Sequence, residues 1–498
     1  MSNSVYPPTR TKIIATLGPA SHAVPIIRDL IIAGANVFRL NFSHGNHAQH
    51  AAALANVRQA AADLERHDIA VMGDLQGVKI RTTVCAHGPF TLETGATIEV
   101  ADGEQPSDRS CLRLQPGGMT GLLQREERIL IDDGRIRLLT LERRAASFLC
   151  RVEQGGTMAD RRGVHLPDSQ RGILPSLTPK DEADLAWGVA NGVDVFALSF
   201  VRSGRDVRLA KQFIQARGTD TPVIAKLETR EFLQELHEIF AEAFGVMIAR
   251  GDLGVVMPPE SVPYMQKRLV ADARDHLKPV IVATQMLETM IERPQPTRAE
   301  TSDVANAVFD GVDGVMLSGE TAIGRYPVEA VAAMRRILSS SESASDRDGD
   351  RCPRSFMVDA ASFPVALGAA TCYAAEAVGA QGIIVYTQHG ESPPLVAARR
   401  PRLPLYVFSE HAAVLRRLAL VWGVQTRLLE SAPATVEEVV LACETALLRE
   451  GRVRPEQPLV IMAKRPQGAP GQTNFLSIHT IAGRHGTSAP GLPPESQH

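Results

Sequence analysis

The sequence contains nothing from which to build a disulfide framework, a zinc site or a membrane span. Its 498 residues include six cysteines, Cys85, Cys111, Cys150, Cys352, Cys372 and Cys443, scattered without a CxxC pair, so they read as isolated thiols. No uninterrupted apolar run approaches the ~18 residues that a spanning helix requires. The opening MSNSVYPPTR lacks the apolar core of a signal peptide. These absences predict a cytoplasmic protein without a membrane partner. An excess of one charge is missing too. Lys and Arg total 53 against 56 Asp and Glu, a formal net charge of −3, which leaves no electrostatic reason to expect nucleic acid as a partner. With 44% hydrophobic and 22% charged residues the balance is that of an ordinary globular protein. At about 150 residues per domain the length allows roughly three domains.

From Thr11 the chain repeats a unit of short apolar run, polar tip and amphipathic stretch, the pattern of parallel strands joined by helical crossovers. Eight strand candidates follow: KIIATL (12–17), NVFRLN (36–41), IAVMGDL (69–75), DVFALSF (194–200), PVIAKLE (222–228), GVMIARG (245–251), PVIVATQ (279–285) and DGVMLSG (313–319). Most are continuous apolar runs, as strands covered on both faces require. The interruption at 78–167 is too long for a crossover and carries short strand-like pieces separated by DDG and GG turns, which predicts an inserted small β-barrel domain. A helix is expected from about 327 to 339, then a polar linker over 341–355. A separate α/β domain follows at 356–485, and 1–10 and 486–498 read as tails, the latter disordered. The barrel itself comprises 11–77 and 168–340.

In barrels of this kind chemistry sits at the C-terminal ends of the strands. The tips carry Arg39 and Asn41, Asp74, Ser199, Lys226 and Glu228, Arg250 and Asp252, Thr284, and Ser318 and Glu320. Several cations beside several carboxylates suit an anionic substrate bridged to the protein by a divalent metal. Glu228 and Asp252 end adjacent strands and could share Mg²⁺; the alternative is that each caps a helix. Lys226 lies on the same side of its strand as Glu228, placed to steady a phosphoryl group or to form a structural ion pair. Arg39 after an apolar run calls for an anionic partner. Asn41, Ser43 and Asp74 offer oxygens for a monovalent cation, although turn hydrogen bonding is the commoner use of Asn and Ser. Thr297 three residues before Glu300 is a capping box. GETAIGRY (319–326) lacks the Lys-Ser/Thr of a phosphate loop and is rejected as one.

TKIIATLGPAS (11–21), NVFRLNFSHG (36–45), GVHLP (163–167), LSFVR (198–202), IAKLE (224–228), MIARGDLGV (247–255), PVIVATQMLETMI (279–291), PTRAETSDVANAV (296–308) and DGVMLSGETAIGRYP (313–327) together make the chain resemble the pyruvate kinases. The C-terminal part resembles them more loosely, through Arg400-Pro401 and GQTN (471–474). The resemblance implies an α/β fold: a (β/α)8 TIM barrel, a β lid inserted after the third strand, and a C-terminal α/β effector domain, in a homotetramer. It implies phosphoryl transfer from phosphoenolpyruvate to ADP, giving pyruvate and ATP. By position, Glu228 and Asp252 would hold Mg²⁺ (or Mn²⁺), and Lys226 and Arg39 would neutralise the phosphoryl oxygens. Ser199, Gly251, Asp252 and Thr284 would hold substrate, with Thr284 near the proton path. Arg81, Arg162, Asn41 and His44 would meet the nucleotide.

The departures matter as well. The family's Asp-Thr-Lys-Gly-Pro-Glu stretch reads Asp74-Leu75-Gln76-Gly77-Val78-Lys79 here. Relatives with Lys at the last place generally do without potassium, because an ammonium can stand in for the cation. Lys79 is therefore expected to make potassium dispensable, although Asn41, Ser43, Asp74 and Leu75 keep a ligand set. Val78 in place of Pro loosens the lid hinge. Phe244 stands for a usual Asp and His165 for a usual Asn, neither in the groups named above. The effector loop reads TQHGES (387–392), where Glu391 would repel a phosphate. A sugar monophosphate or nucleotide effector, helped by Lys464 and Arg465, is expected rather than a sugar bisphosphate. Two other readings are a catalytically weak metabolite sensor and a different Mg-dependent enolate-forming barrel enzyme.

Overall fold

The computed structural model describes residues 9–169, 174–348, 363–465 and 473–482. It divides into two compact units, residues 1–350 and 351–498. In the first, eight parallel strands close into a barrel in sequence order: Lys12–Thr16, Val37–Asn41, Ala70–Asp74, Val195–Leu198, Val223–Leu227, Gly245–Ala249, Val280–Ala283 and Gly314–Leu317. Each lies inside one of the apolar runs of the sequence. Seven of the eight are buried at every position, the condition under which a run need not alternate. Val37–Asn41 departs from this because it carries Arg39 and Asn41 toward the mouth. The barrel closes where Lys12 to Ala15 pair with Gly314 to Leu317.

The crossover helices start where side chains can satisfy their free N–H groups. Asn46 with Gln49, Thr178 with Asp181, and Thr297 with Glu300 form reciprocal capping boxes, the last of these legible in the sequence. The helix expected to stop near Ser339 instead runs Pro327–Asp348, so the polar stretch begins as helix and not as linker. Its serines bond back along the helix, Ser341 Oγ to Ile337 O and Ser343 Oγ to Ser339 O. The buried Glu342 carboxylate receives the backbone N–H groups of Arg10 and Thr11. Composition therefore misleads here, because the polar residues are used internally. The rest of the expected linker and the expected 486–498 tail lie outside the described residues, as do residues 1–8 of the N-terminal tail.

The insertion after the third strand forms a seven-stranded, mainly antiparallel sheet with its own core of Ile98, Val100, Leu112, Leu138 and Phe148. Its end strands, Arg81–Thr82 and Val164–His165, meet through a bridge between Arg81 and Gly163, so the sheet curls onto itself. The second unit is a five-stranded sheet. Val424–Leu428, Leu405–Ser409, Ile383–Tyr386 and Pro458–Ala463 are parallel, and Phe475–Thr480 runs antiparallel at the edge. Among the described residues no helix is long and apolar enough to cross a membrane, and Cys85, Cys111, Cys150, Cys372 and Cys443 are free.

Gly18, just past the first strand, packs tightly against the segment that follows the eighth strand. A Cβ there would lie 2.4 Å from the carbonyl oxygen of Ala322, a backbone atom that cannot swing away. Gly18→Ala is expected to cost about 1–3 kcal/mol by overpacking. Urea denaturation measures it, and an unmoved midpoint would contradict this account of the packing.

Candidate active site

Four charged side chains meet at the C-terminal mouth of the barrel. Arg39, on the second strand, donates from Nε to Asp74 Oδ2 at 2.6 Å and from Nη1 to Thr16 Oγ1 at 3.2 Å. Lys226 Nζ, on the fifth strand, lies 3.1 Å from Asp74 Oδ1 and 2.9 Å from Glu228 Oε1, and donates to Ser199 Oγ at 2.7 Å. Ser199 in turn donates to Leu75 O at 2.7 Å. Glu228 Oε2 accepts the N–H of Phe200 at 2.8 Å. Asp74 Oδ1 is within ion-pair distance of Lys226 but off the direction of a good hydrogen bond, so one buried carboxylate oxygen has no directed donor.

The electrostatics follow from this packing. Burial opposes the charge on Asp74, but Arg39 and Lys226 outweigh it and hold the carboxyl below its ordinary range. Burial likewise opposes the charge on Lys226, and Asp74 and Glu228 overcome it, raising the ammonium's pKa. Glu228 goes the other way. Burial raises its pKa, Lys226 opposes the rise, and the neighbouring Asp252 charge adds to it. Two carboxylates near each other with too little positive charge between them are what a divalent cation relieves. Among the described residues no three or more His, Cys, Asp and Glu side chains converge as a metal cage. One or two carboxylates completed by substrate oxygens is instead the usual form of an Mg²⁺ site, and Glu228 with Asp252 fits it.

Asp252 lies in the short helix Arg250–Val256 that follows the sixth strand, one step beyond the strand tip. His165, which the sequence reading set aside, reaches from the inserted sheet to within 4.0 Å of Asp252 Oδ1 and is buried. The signal for it lay in GVHLP, where an imidazole stands in a segment otherwise read only for its resemblance.

Thr284 and Gln285 have φ of 71° and 54°, left-handed backbone that a β-branched residue such as Thr rarely adopts. Arg250 holds them there, donating from Nη2 to Thr284 O at 2.9 Å and to Gln285 O at 3.0 Å, while its Nη1 bonds Asp303. Arg250 is thus occupied by structure. Thr284 Oγ1 accepts the N–H of Gly251 at 2.8 Å and donates to Ala283 O at 2.5 Å, so the Gly251 amide proposed for substrate is taken by the Thr284 hydroxyl in this state. Glu320 is structural as well, accepting the N–H groups of Leu287 and Ser318.

The remaining candidates divide. Arg81 donates to Arg161 O. Arg162 Nη1 bonds Asp132 Oδ1 at 3.0 Å, a contact inside the inserted domain. His44 is drawn into the same field as Arg39. Burial first, then Arg81, Lys79 and Arg39, holds its imidazole below the ordinary range. Lys79 is thus one of three cations whose field reaches His44. Asn41 Oδ1 accepts the N–H of Ser43 at 3.1 Å, the turn use weighed for it above. Gly77, where the chain leaves for the lid, has φ of 66°, and a Cβ there would lie 2.9 Å from the Phe200 ring and 3.0 Å from Ser199 Cβ. Only glycine meets both demands.

A family model for the barrel domain of pyruvate kinase matches residues 8–331, and one for its alpha/beta domain matches residues 366–479. The chain belongs to the pyruvate kinase family. It is 40% identical over 481 residues to a pyruvate kinase of Mycobacterium intracellulare, covering 95% of this chain and 98% of that one. To pyruvate kinase 2 of Synechocystis it is 38% identical over 482 residues, covering 95% of this chain and 80% of that one. A crystal structure of a pyruvate kinase from Cryptosporidium parvum superposes with a TM-score of 0.89 at 32% identity, covering 95% of this chain and 96% of that one. The protein is a phosphotransferase of this family, and the family match sets aside a different enolate-forming barrel enzyme.

The pairing of Lys226 with Glu228 carries a stability consequence. Lys226→Met leaves Asp74 with Arg39, but Glu228 keeps only the Phe200 N–H. Breaking one side of a buried pair is expected to cost about 3 kcal/mol in urea denaturation. A loss below about 1 kcal/mol, the scale of an exposed pair, would mean that Glu228 is better solvated than its burial indicates.

Proposed function

We propose that this enzyme transfers the phosphoryl group of phosphoenolpyruvate to ADP, giving pyruvate and ATP, at the C-terminal mouth of the barrel. The observation that carries the reading is the buried set of Arg39, Asp74, Lys226 and Glu228 beside Asp252, cations for a phosphoryl group next to carboxylates for a divalent metal. Glu228 and Asp252 would hold Mg²⁺ or Mn²⁺, which would supply positive charge against the substrate oxygen that loses the phosphoryl group. Arg39 and Lys226 lie along the equatorial oxygens of the transferring group, where positioning and charge do most of the work. The P–O bond to the enol oxygen breaks as one forms to the terminal β-phosphate oxygen of ADP, and the enolate carbon takes up a proton.

The substrate carboxylate takes the amides of Gly251 and Asp252 in place of the Thr284 hydroxyl now bonded to Gly251, and Ser199 orients Lys226. Displaced from Gly251, the Thr284 hydroxyl turns toward the carbon that is protonated. Arg81, Arg162, Asn41 and His44 meet the nucleotide; Arg162 does so by leaving Asp132 as the lid closes. Closure over the site excludes water that would otherwise accept the phosphoryl group. The assembly is a homotetramer in the cytoplasm.

Potassium is dispensable in this reading. Three of the four residues of the monovalent set already have protein partners: Asp74 its ion pairs with the two cations, Leu75 O the Ser199 hydroxyl, Asn41 Oδ1 the Ser43 amide. Lys79 adds the charge a cation would bring. In the C-terminal domain Thr387 Oγ1 accepts the N–H of Gly390, Ser392 pairs with Thr473, and Glu391 stays exposed. That supports an effector with one phosphate, a sugar monophosphate or a nucleotide, over a bisphosphate.

Pyruvate formation from phosphoenolpyruvate, ADP and Mg²⁺, with and without potassium at constant ionic strength, is the primary test. Turnover should differ by less than about tenfold between the two, and Lys79→Glu should create a larger requirement, by replacing the ammonium with a carboxylate that needs a cation. Turnover that rises tenfold or more with potassium in the parent protein removes the role given to Lys79. Separately, Glu228→Gln should abolish calorimetric Mg²⁺ binding and turnover together. Full activity in that variant would remove Glu228 from the metal site.

A further inference from the structure

The loop after the second strand is tied to an element that the catalytic reading does not use. Lys180 Nζ, in the first turn of the helix Pro179–Ala190, donates to Phe42 O at 2.7 Å and to Asp184 Oδ2 at 2.6 Å. The other oxygen of the buried Asp184 takes His47 Nε2 at 2.7 Å. A carboxylate only accepts, so Nε2 of His47 carries the proton. The His47 ring stacks on Trp187 of the same helix, with centroids 5.3 Å apart and planes 15° apart, and the Phe42 ring meets Trp187 edge-on at 5.7 Å. Between these anchors lie Ser43, His44, Gly45 and Asn46. The carbonyl of His44 is held from the far side by His50 Nε2 at 3.0 Å.

The same helical turn also holds the lid hinge. Asp181, fully buried, accepts the N–H of Gly77 at 3.0 Å through Oδ1, while Oδ2 closes the capping box with Thr178. One rigid turn therefore fixes two crossings at once: the exit to the lid at Gly77, and the Phe42–His47 loop that presents His44 among Arg81, Lys79 and Arg39. Each tie is a charged group on a backbone or ring partner, the stronger class of hydrogen bond.

We propose that Lys180 and Asp184 are positioning residues for nucleotide binding: they set the Phe42–His47 loop, and with it His44, relative to the lid hinge. The inference rests on the reading that His44 contacts the nucleotide. A misplacement near 1 Å at such a loop can cost about 10²-fold, and it should fall on the nucleotide and largely spare phosphoenolpyruvate, whose groups apart from Arg39 sit on other strands, Arg39 itself being held within the barrel by Asp74 and Thr16.

Steady-state kinetics of the full-length enzyme test this. Lys180→Met should raise KM for ADP at least fivefold, with KM for phosphoenolpyruvate and kcat each changed less than twofold. Lys180→Arg, which can still donate to both partners, should bring KM for ADP back to within twofold of the parent. The Lys180 side chain is 46% exposed, so its loss is not expected to unfold the protein. Asp184→Asn, which keeps the volume and removes the charge, should give the same split. An ADP KM within twofold of the parent in both Lys180→Met and Asp184→Asn, or a rise shared equally by the two substrates, overturns the proposal and leaves the contacts as structural only. His44→Ala separates the two levels. If it leaves KM for ADP unchanged, the nucleotide assignment of His44 fails; if it raises that KM while the Lys180 and Asp184 variants do not, the positioning role alone fails.

Discussion

The arrangement depends on a cost: five charged groups, Arg39, Asp74, Lys226, Glu228 and Asp252, are gathered at one end of a barrel whose walls are apolar. Burial works against the charge on Asp74, Lys226 and Glu228. Two cations against three carboxylates leave the set short of positive charge, and the shortage is concentrated at Glu228. A site left slightly anionic attracts a divalent cation. With such a cation bound, the five groups would carry a net positive charge toward a substrate that carries several negative charges. On the proposed reading, the same imbalance favours first a divalent cation and then a phosphoryl group.

Such a cluster holds only if the backbone around it cannot relax. The strand tips supply that stiffness through local strain and unusual ties. Thr284 and Gln285 stay left-handed because Arg250 grips both their carbonyls. Phe200, with φ of 55°, turns its N–H toward Glu228. Gly77 turns the chain into the lid against Phe200 and Ser199, and Asp181 holds its amide. Residues that read in the sequence as part of the reacting set, Arg250 and Glu320 among them, are spent on this support.

The eight strands were legible as apolar runs because strands covered on both faces have no need of polar positions, and the tip residues were legible because each run ends in one. The capping box at Thr297 was legible as spacing. The length of the helix Pro327–Asp348 was not, since its serines and Glu342 look like linker until their partners, the helix's own carbonyls and the amides of Arg10 and Thr11, are in place. His165, Lys180, Asp181 and Asp184 were missed for a related reason. They stand far along the chain from the residues they hold, and no local pattern announces a contact between Lys180 and Phe42.

The sequence by itself thus determined the order and number of barrel strands, the place of the insertion, and which side chains stand at each tip, because burial and strand ends leave a direct mark on residue type. Tertiary structure alone decided how those side chains pair: that Asp74 bridges Arg39 and Lys226, that the Thr284 hydroxyl occupies the Gly251 amide, that Arg162 bonds within the lid, and that His165 comes to Asp252. Pairing depends on angles and distances between segments brought together by the closed barrel, and residue type along a chain does not encode a direction in space.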